Sequence, residues 1–214
     1  IESAACEPEV ADLANMLNAM GAKIRGAGTN VIKIDGVPKF TGRDYTIIPD
    51  RIEAGTFAIA AAATGGNVFL EGARAEDLGA LIDCLRRAGV TIEVEPKGLR
   101  IKRDPSTTLK AVDVDTRPHP GFPTDLQAQF MALMSIAEGS STIRENIFEN
   151  RFMHAPELSR LGANITVRGL VINAFSGDGL YSSSGSNHSP FASCACNSTG
   201  CAAASGSSCT DARW

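Results

Sequence analysis

Residues 49–72, PDRIEAGTFAIAAAATGGNVFLEG, align without a gap on residues 123–146, PTDLQAQFMALMSIAEGSSTIREN, at an offset of 74. Both segments carry the same signals in the same order. A proline, Pro49 or Pro123, precedes a polar N-cap, Asp50 or Thr124, and three residues later stands a capping acceptor, Glu53 or Gln127. An apolar helix then runs to a glycine, Gly65 or Gly139, and a short strand follows at 68–70 or 142–144. In the later copy, Leu126, Phe130, Leu133, Met134 and Ala137 recur at helical spacing and are expected to form the buried stripe.

A second pattern interleaves with the first. EPEVADLANMLNAMGAKIRGAGTNVIKIDG (7–36), AEDLGALIDCLRRAGVTIEVEPKGLRIKRD (75–104) and the shorter APELSRLGANITVRG (155–169) each read as an amphipathic helix stopped by glycine and followed by strands. Val10, Leu13, Leu17 and Met20 line one face of the first helix. Leu78, Leu81, Leu85 and Ala88 do the same in the second, and Pro156 suits the first turn of the third. The stop glycines Gly21, Gly89 and Gly162 are 68 and 73 residues apart, which is self-similarity. Joined, the two patterns predict an α/β unit of about 70 residues, strand–helix–strand–helix–strand–strand (βαβαββ). One copy spans about 45–103 and another about 111–168, while residues 1–35 make only the second half of a copy. The chain is expected to begin mid-unit.

Composition narrows the class. With 43% hydrophobic and 21% charged residues, the 214-residue chain reads as globular. A net charge of −4 argues against a nucleic-acid surface or an anionic membrane as partner. No apolar run approaches the roughly 18 residues of a membrane span, and the residues from Ile1 onward are not expected to include a signal peptide. Cys84, among Leu81, Ile82 and Leu85, reads as a small buried hydrophobe. There is no P-loop, because GAGTN (26–30) lacks the Lys-Ser/Thr signature and joins two strands. No His/Cys pair before residue 190 has zinc spacing, so neither metal nor cofactor is expected.

The two repeat copies differ most at the helix mouth. The alignment sets Arg51 opposite Asp125, both at the first helical position. The lead-in PHPGFPTDLQAQF (118–130) holds Pro118, Pro120, Gly121 and Pro123, a stiff extended approach to that position. An acid there complements the helix dipole, and local rules alone leave Asp125 undecided between that role and chemistry.

PHPGFPTDLQAQF, together with ENIFENRFMHAPELSRLGA (145–163), EPEVADLANML, PDRIEAGTF and GANITVRG, resembles the bacterial UDP-N-acetylglucosamine enolpyruvyl transferases over about residues 1–169. The resemblance implies an inside-out α/β barrel of βαβαββ units with the helices inside, incomplete in this chain. It also implies transfer of enolpyruvate from phosphoenolpyruvate to the 3′-hydroxyl of UDP-N-acetylglucosamine, with release of phosphate, in the bacterial cytoplasm. Asp125 matches the family aspartate that takes the proton from the sugar hydroxyl and contacts the substrate. Ile147 matches a position contacting the nucleotide-sugar, and Arg151 an active-site arginine whose planar fork suits oxyanions. Arg51 is expected to link units, His119 is left unassigned, and His154 is expected to help cap the helix near Pro156. The family's catalytic-loop cysteine and phosphoenolpyruvate-binding lysine match nothing in this chain, which by itself is expected to lack turnover.

After Gly169 the character changes to a Ser-, Gly- and Cys-rich stretch with Cys194, Cys196, Cys201 and Cys209. Residues 170–214 are therefore expected to be a separate tail, disordered or read from a shifted frame. Two other readings stay open: a shikimate-pathway enolpyruvyl transferase, and a non-catalytic nucleotide-sugar binder.

Overall fold

The computed structural model describes residues 1–167 and, beyond them, the backbone of two paired strands at 194–197 and 200–203. The chain divides into two compact units, Ile1–Glu149 and Asn150–Trp214.

In the first unit, helix α1 (Pro8–Ala19) starts on Pro8, whose missing N–H costs nothing in the first turn, and stops before Gly21 at φ 105°. The Asn18 side chain donates to the Ile24 carbonyl (2.9 Å) and accepts from the Ile24 N–H (2.8 Å), which ties the helix end to strand β1 (Lys23–Arg25). β1 pairs antiparallel with β2 (Lys33–Asp35), with Ile24 opposite Ile34. Of the stripe expected on α1, none is buried: Leu13 is 52% exposed, and the buried residue is Ala14.

Helix α2 (Arg51–Thr64) is capped as its sequence predicts. Asp50 Oδ1 accepts from the Ile52 and Glu53 amides at 2.8 and 3.1 Å, and Gly65 closes the helix at φ 69°. Strand β3 (Asn67–Glu71) follows, then a 3-10 turn (Ala75–Asp77), helix α3 (Gly79–Arg87), and strands β4 (Thr91–Glu95) and β5 (Gly98–Lys102). The three strands form one antiparallel sheet in the order β3-β5-β4, with Val68 and Ile92 both opposite Ile101. No strand forms at 45–48, where the repeat pattern places one.

Strand β6 (Val114–Asp115) pairs parallel with β7 (Ile143–Arg144), and helix α4 (Gln127–Met134) crosses between them. The helices and the sheet share one core. Leu81 and Leu85 of α3, Phe130 and Leu133 of α4, and Ala58, Ile59, Ala61 and Ala62 of α2 join Leu99 and Ile101 of β5 in one buried cluster. Leu78 and Ala88 are buried as well, so the stripe expected on the second helix is realised in full. Gly55 marks the closest approach: a Cβ there would lie 2.5 Å from Leu126 Cδ1 and 3.1 Å from Leu81 Cδ2. A glycine inside a helix normally costs about 1 kcal/mol relative to alanine, and here it lets three segments meet.

In the second unit, α5 (Ala155–Arg160) carries Pro156 in its first turn and ends before Gly162 at φ 99°. His154 stands at its N-cap, but the side chain makes no capping hydrogen bond; only its backbone carbonyl serves, accepting from the Leu158 amide at 3.0 Å. Burial, and then the charge of Arg151, push the His154 pKa down. Residues 163–167 form no strand. Strands β8 (Cys194–Asn197) and β9 (Gly200–Ala203) pair antiparallel. The rest of the tail expected at 170–214, and the state of its cysteine side chains, lie outside the described residues.

Candidate active site

The proline-rich lead-in is a closed loop. The Arg117 amide donates to the Phe122 carbonyl (3.0 Å) and the Gly121 amide to the Pro118 carbonyl (2.8 Å). A Cβ on Gly121 would lie 2.5 Å from Arg117 Cβ, so the tightness of the loop requires glycine. Phe122 is buried edge-on against Phe130, with ring centroids 5.2 Å apart at 63°, and anchors the loop to α4.

Thr124, Asp125 and Leu126 form a 3-10 turn leading into α4. Leu126 points into the core and is fully buried, whereas Asp125 lies on the exposed side of the turn. The capping box expected from Thr124 and Gln127 does not form. The Thr124 hydroxyl donates instead to Glu145 Oε2 at 2.8 Å. That bond uses the hydroxyl as donor, where a cap would use its oxygen as acceptor, and the ionised Glu145 is a strong acceptor for it. Gln127 is buried, and neither of its carboxamide atoms has a hydrogen-bond partner among the described residues.

Glu145 gathers the site. While Oε2 takes the Thr124 hydroxyl, Oε1 accepts from the Thr116 hydroxyl (2.9 Å), the Ile147 amide (2.9 Å) and the Phe148 amide (3.1 Å). Thr116, fully buried, passes the network on by accepting from the Asn146 amide at 2.8 Å. Partial burial pushes the Glu145 carboxyl up, but the hydrogen bonds from Thr124, Ile147, Phe148 and Thr116 outweigh it and leave the pKa below the ordinary glutamate value. Asp125 and Ile147, 22 positions apart, are thus held to one anchor. Arg151, partly buried, belongs to the second unit.

Glu145 stands in the quoted ENIFENR segment, yet nothing in its local pattern marks it. A carboxylate followed by polar and apolar residues looks like a solvated strand end. The one available signal was the pair of threonines, Thr116 and Thr124, flanking the proline loop.

Arg51 follows the structural expectation. Its side chain is 10% exposed and makes an ion pair with Glu9, with Nε donating to Oε1 at 2.9 Å, which links α2 to α1. His119 donates its backbone N–H to Glu7 Oε1 (3.5 Å) and lines a groove of about 290 Å³ with Asp12, Arg74 and Asp77. Asp125 does not line that groove. Among the described residues, no group of three His, Cys, Asp or Glu side chains is placed to hold a metal ion, and no helix is long and apolar enough to cross a membrane.

The turn that carries Asp125 and the loop that carries Ile147 are both tied to Glu145. The sequence pattern of the EPSP synthase family (3-phosphoshikimate 1-carboxyvinyltransferase) matches residues 1–188, past the limit near 169 expected from the sequence. The chain belongs to this family. Among members of the family, it is 63% identical over 171 residues to a UDP-N-acetylglucosamine 1-carboxyvinyltransferase of Hyphomonas neptunium, covering 79% of this chain and 40% of that protein. The similarity to the enzyme of the same name from Gluconobacter oxydans is 57% over 169 residues, 79% of this chain and 40% of the relative. The chain therefore spans 40% of the length of these relatives. In fold it resembles the enolpyruvyl transferase NikO from Streptomyces tendae, with a TM-score of 0.62 and 29% identity over 74% of this chain and 38% of that one. The α/β architecture is thus that of the enolpyruvyl transferase fold.

Proposed function

We propose that this chain is the central portion of a UDP-N-acetylglucosamine 1-carboxyvinyltransferase, acting in the bacterial cytoplasm on UDP-N-acetylglucosamine and phosphoenolpyruvate. The division into an enolpyruvyl transferase portion (1–169) and a distinct tail (170–214) is part of the same reading. The sugar 3′-hydroxyl adds through oxygen to C2 of phosphoenolpyruvate while a proton reaches C3. Loss of a C3 proton and departure of phosphate from C2 then leave the enolpyruvyl ether. Asp125 takes the hydroxyl proton, Ile147 forms part of the wall beside the nucleotide-sugar, and Arg151 meets phosphate or carboxylate oxygens. The acid for C3 and a further cation for phosphoenolpyruvate, which the family supplies from a cysteine and a lysine, match nothing among these residues.

The observation that carries this reading is the joint anchoring of the Asp125 turn and the Ile147 loop on Glu145. A surface aspartate that merely complemented a helix end would need no such frame. The names of the relatives favour the nucleotide-sugar over shikimate 3-phosphate as acceptor.

The test is a graft. Residues 1–167 replace the matching stretch of the Hyphomonas neptunium relative, and phosphate release is followed with each acceptor. Release that depends on UDP-N-acetylglucosamine is expected, together with a loss of about 10²–10⁴ in turnover for Asp125→Ala. A folded graft, verified by circular dichroism and a cooperative melt, that responds only to shikimate 3-phosphate would replace this reading with the alternative. Binding of UDP-N-acetylglucosamine without turnover would favour a non-catalytic binder.

A further inference from the structure

We propose that Glu145 is a positioning residue. By holding the Thr124 hydroxyl on one carboxylate oxygen and the Ile147 and Phe148 amides on the other, it fixes the spacing between Asp125 and the loop that faces the sugar. This rests on the reading of Asp125 as the base and adds a residue to which that reading gives no role.

The geometry is specific. Four donors converge on one carboxylate, two hydroxyls and two amides, at 2.8–3.1 Å. They come from three places: Thr116 at the end of β6, Thr124 at the head of the turn, and the loop just after β7. The buried Thr116 gives that frame a fixed floor, because its hydroxyl is used twice, donating to Glu145 and accepting from the Asn146 amide. Thr124 is adjacent to Asp125, so the rotation of the turn, and with it the direction of the Asp125 carboxylate, follows from where the Thr124 hydroxyl is held. Catalysis by a placed base depends steeply on such direction. A carboxylate is suited to this because it accepts on both oxygens and donates on neither, so all four donors keep one orientation.

Two measurements test it. In the 214-residue chain, hydrogen exchange at the Ile147 and Phe148 amides is expected to speed up by roughly tenfold or more in Glu145→Ala. Thr124→Val should leave both amides protected, since it removes only the other oxygen's partner. Equal exchange in the parent and in Glu145→Ala would overturn the anchoring. In the grafted enzyme, Thr124→Val is expected to lower kcat by about tenfold, with KM for the sugar nucleotide changed by less than about twofold. Glu145→Ala should lower kcat and raise KM together, and Glu145→Gln, which keeps the acceptor for the loop amides, should restore most of the KM. The deciding comparison is made on an Asp125→Asn background, where Thr124→Val is expected to add no further loss. An equal loss on that background would mean that the threonine acts through general stability, and the positioning role would fall. Full turnover by Asp125→Asn alone would instead remove the base assignment, whatever the exchange data say of Glu145.

Discussion

Gly55→Ala perturbs the point where α2, α3 and the Asp125 turn converge. Two effects oppose each other. Inside a helix, alanine is favoured over glycine by about 1 kcal/mol, so at an exposed site the change would stabilise. Here the added methyl would sit 2.5 Å from Leu126 Cδ1 and 3.1 Å from both Leu126 Cδ2 and Leu81 Cδ2. Leu126 is fully buried and Leu81 is 1% exposed, so neither can swing into solvent. Overpacking of this kind costs about 1–3 kcal/mol, and after the gain of about 1 kcal/mol the net expectation is a loss of roughly 0–2 kcal/mol. For a unit of this size, that lowers Tm by up to about 8 °C. Thermal and urea melts of the 214-residue chain would measure it, with Ala60→Gly at an exposed position of α2 calibrating the propensity term at about 1 kcal/mol. Because Leu126 follows Asp125, the Asp125 amide resonance should shift in Gly55→Ala and stay put in Ala60→Gly. A Gly55→Ala protein more stable than its parent, with Ala60→Gly behaving normally, would refute the claimed closeness of this contact.

Three further outcomes are expected. Gln127→Met should raise stability by about 1 kcal/mol in urea melts, because it removes two buried atoms without hydrogen-bond partners at similar volume; a loss of that size would reveal a partner for the carboxamide. The contribution of Glu145 should follow its depressed pKa: present in full above the ordinary glutamate value of 4.5, and lost as pH falls through the lower folded-state value. Melts from about pH 6 down to pH 3 should therefore show the gap between the parent and Glu145→Gln constant at first and closing only below about 4.5; a gap independent of pH would contradict the ionised acceptor. Burial pushes the Cys84 thiol up to about 11, against the pull of Arg87, so peptide mapping after alkylation near pH 8 should find Cys84 unmodified until the chain unfolds.

The parts legible in the sequence are those in which a residue's partners are its near neighbours along the chain. The Gly65 stop of α2, the Asp50 cap and the Leu78–Leu81–Leu85–Ala88 stripe follow from helical spacing and from backbone groups a few positions away, and each is found where it was expected. Arg51 is expected to link units, and its partner Glu9 lies 42 positions away, beyond any local pattern. On α1, periodicity reports which residues share a face and not whether anything covers it, and Leu13 is 52% exposed.

Thr124 shows where such reasoning ends. Its sequence context offers a capping box with Gln127, and the folded chain supplies a carboxylate 21 positions away instead. Whether the hydroxyl has a carboxylate to donate to depends on whether β6, the turn and the loop after β7 are brought together, and packing alone does that. The sequence by itself determined the repeat and the boundaries of α2, since these rest on short-range sterics and local hydrogen bonding, whereas α4 runs only from Gln127 to Met134, short of both Thr124 and Gly139. Only the tertiary structure made Glu145 the common anchor of Thr124 and Ile147, because the four donors that hold its oxygens meet only after the core has closed.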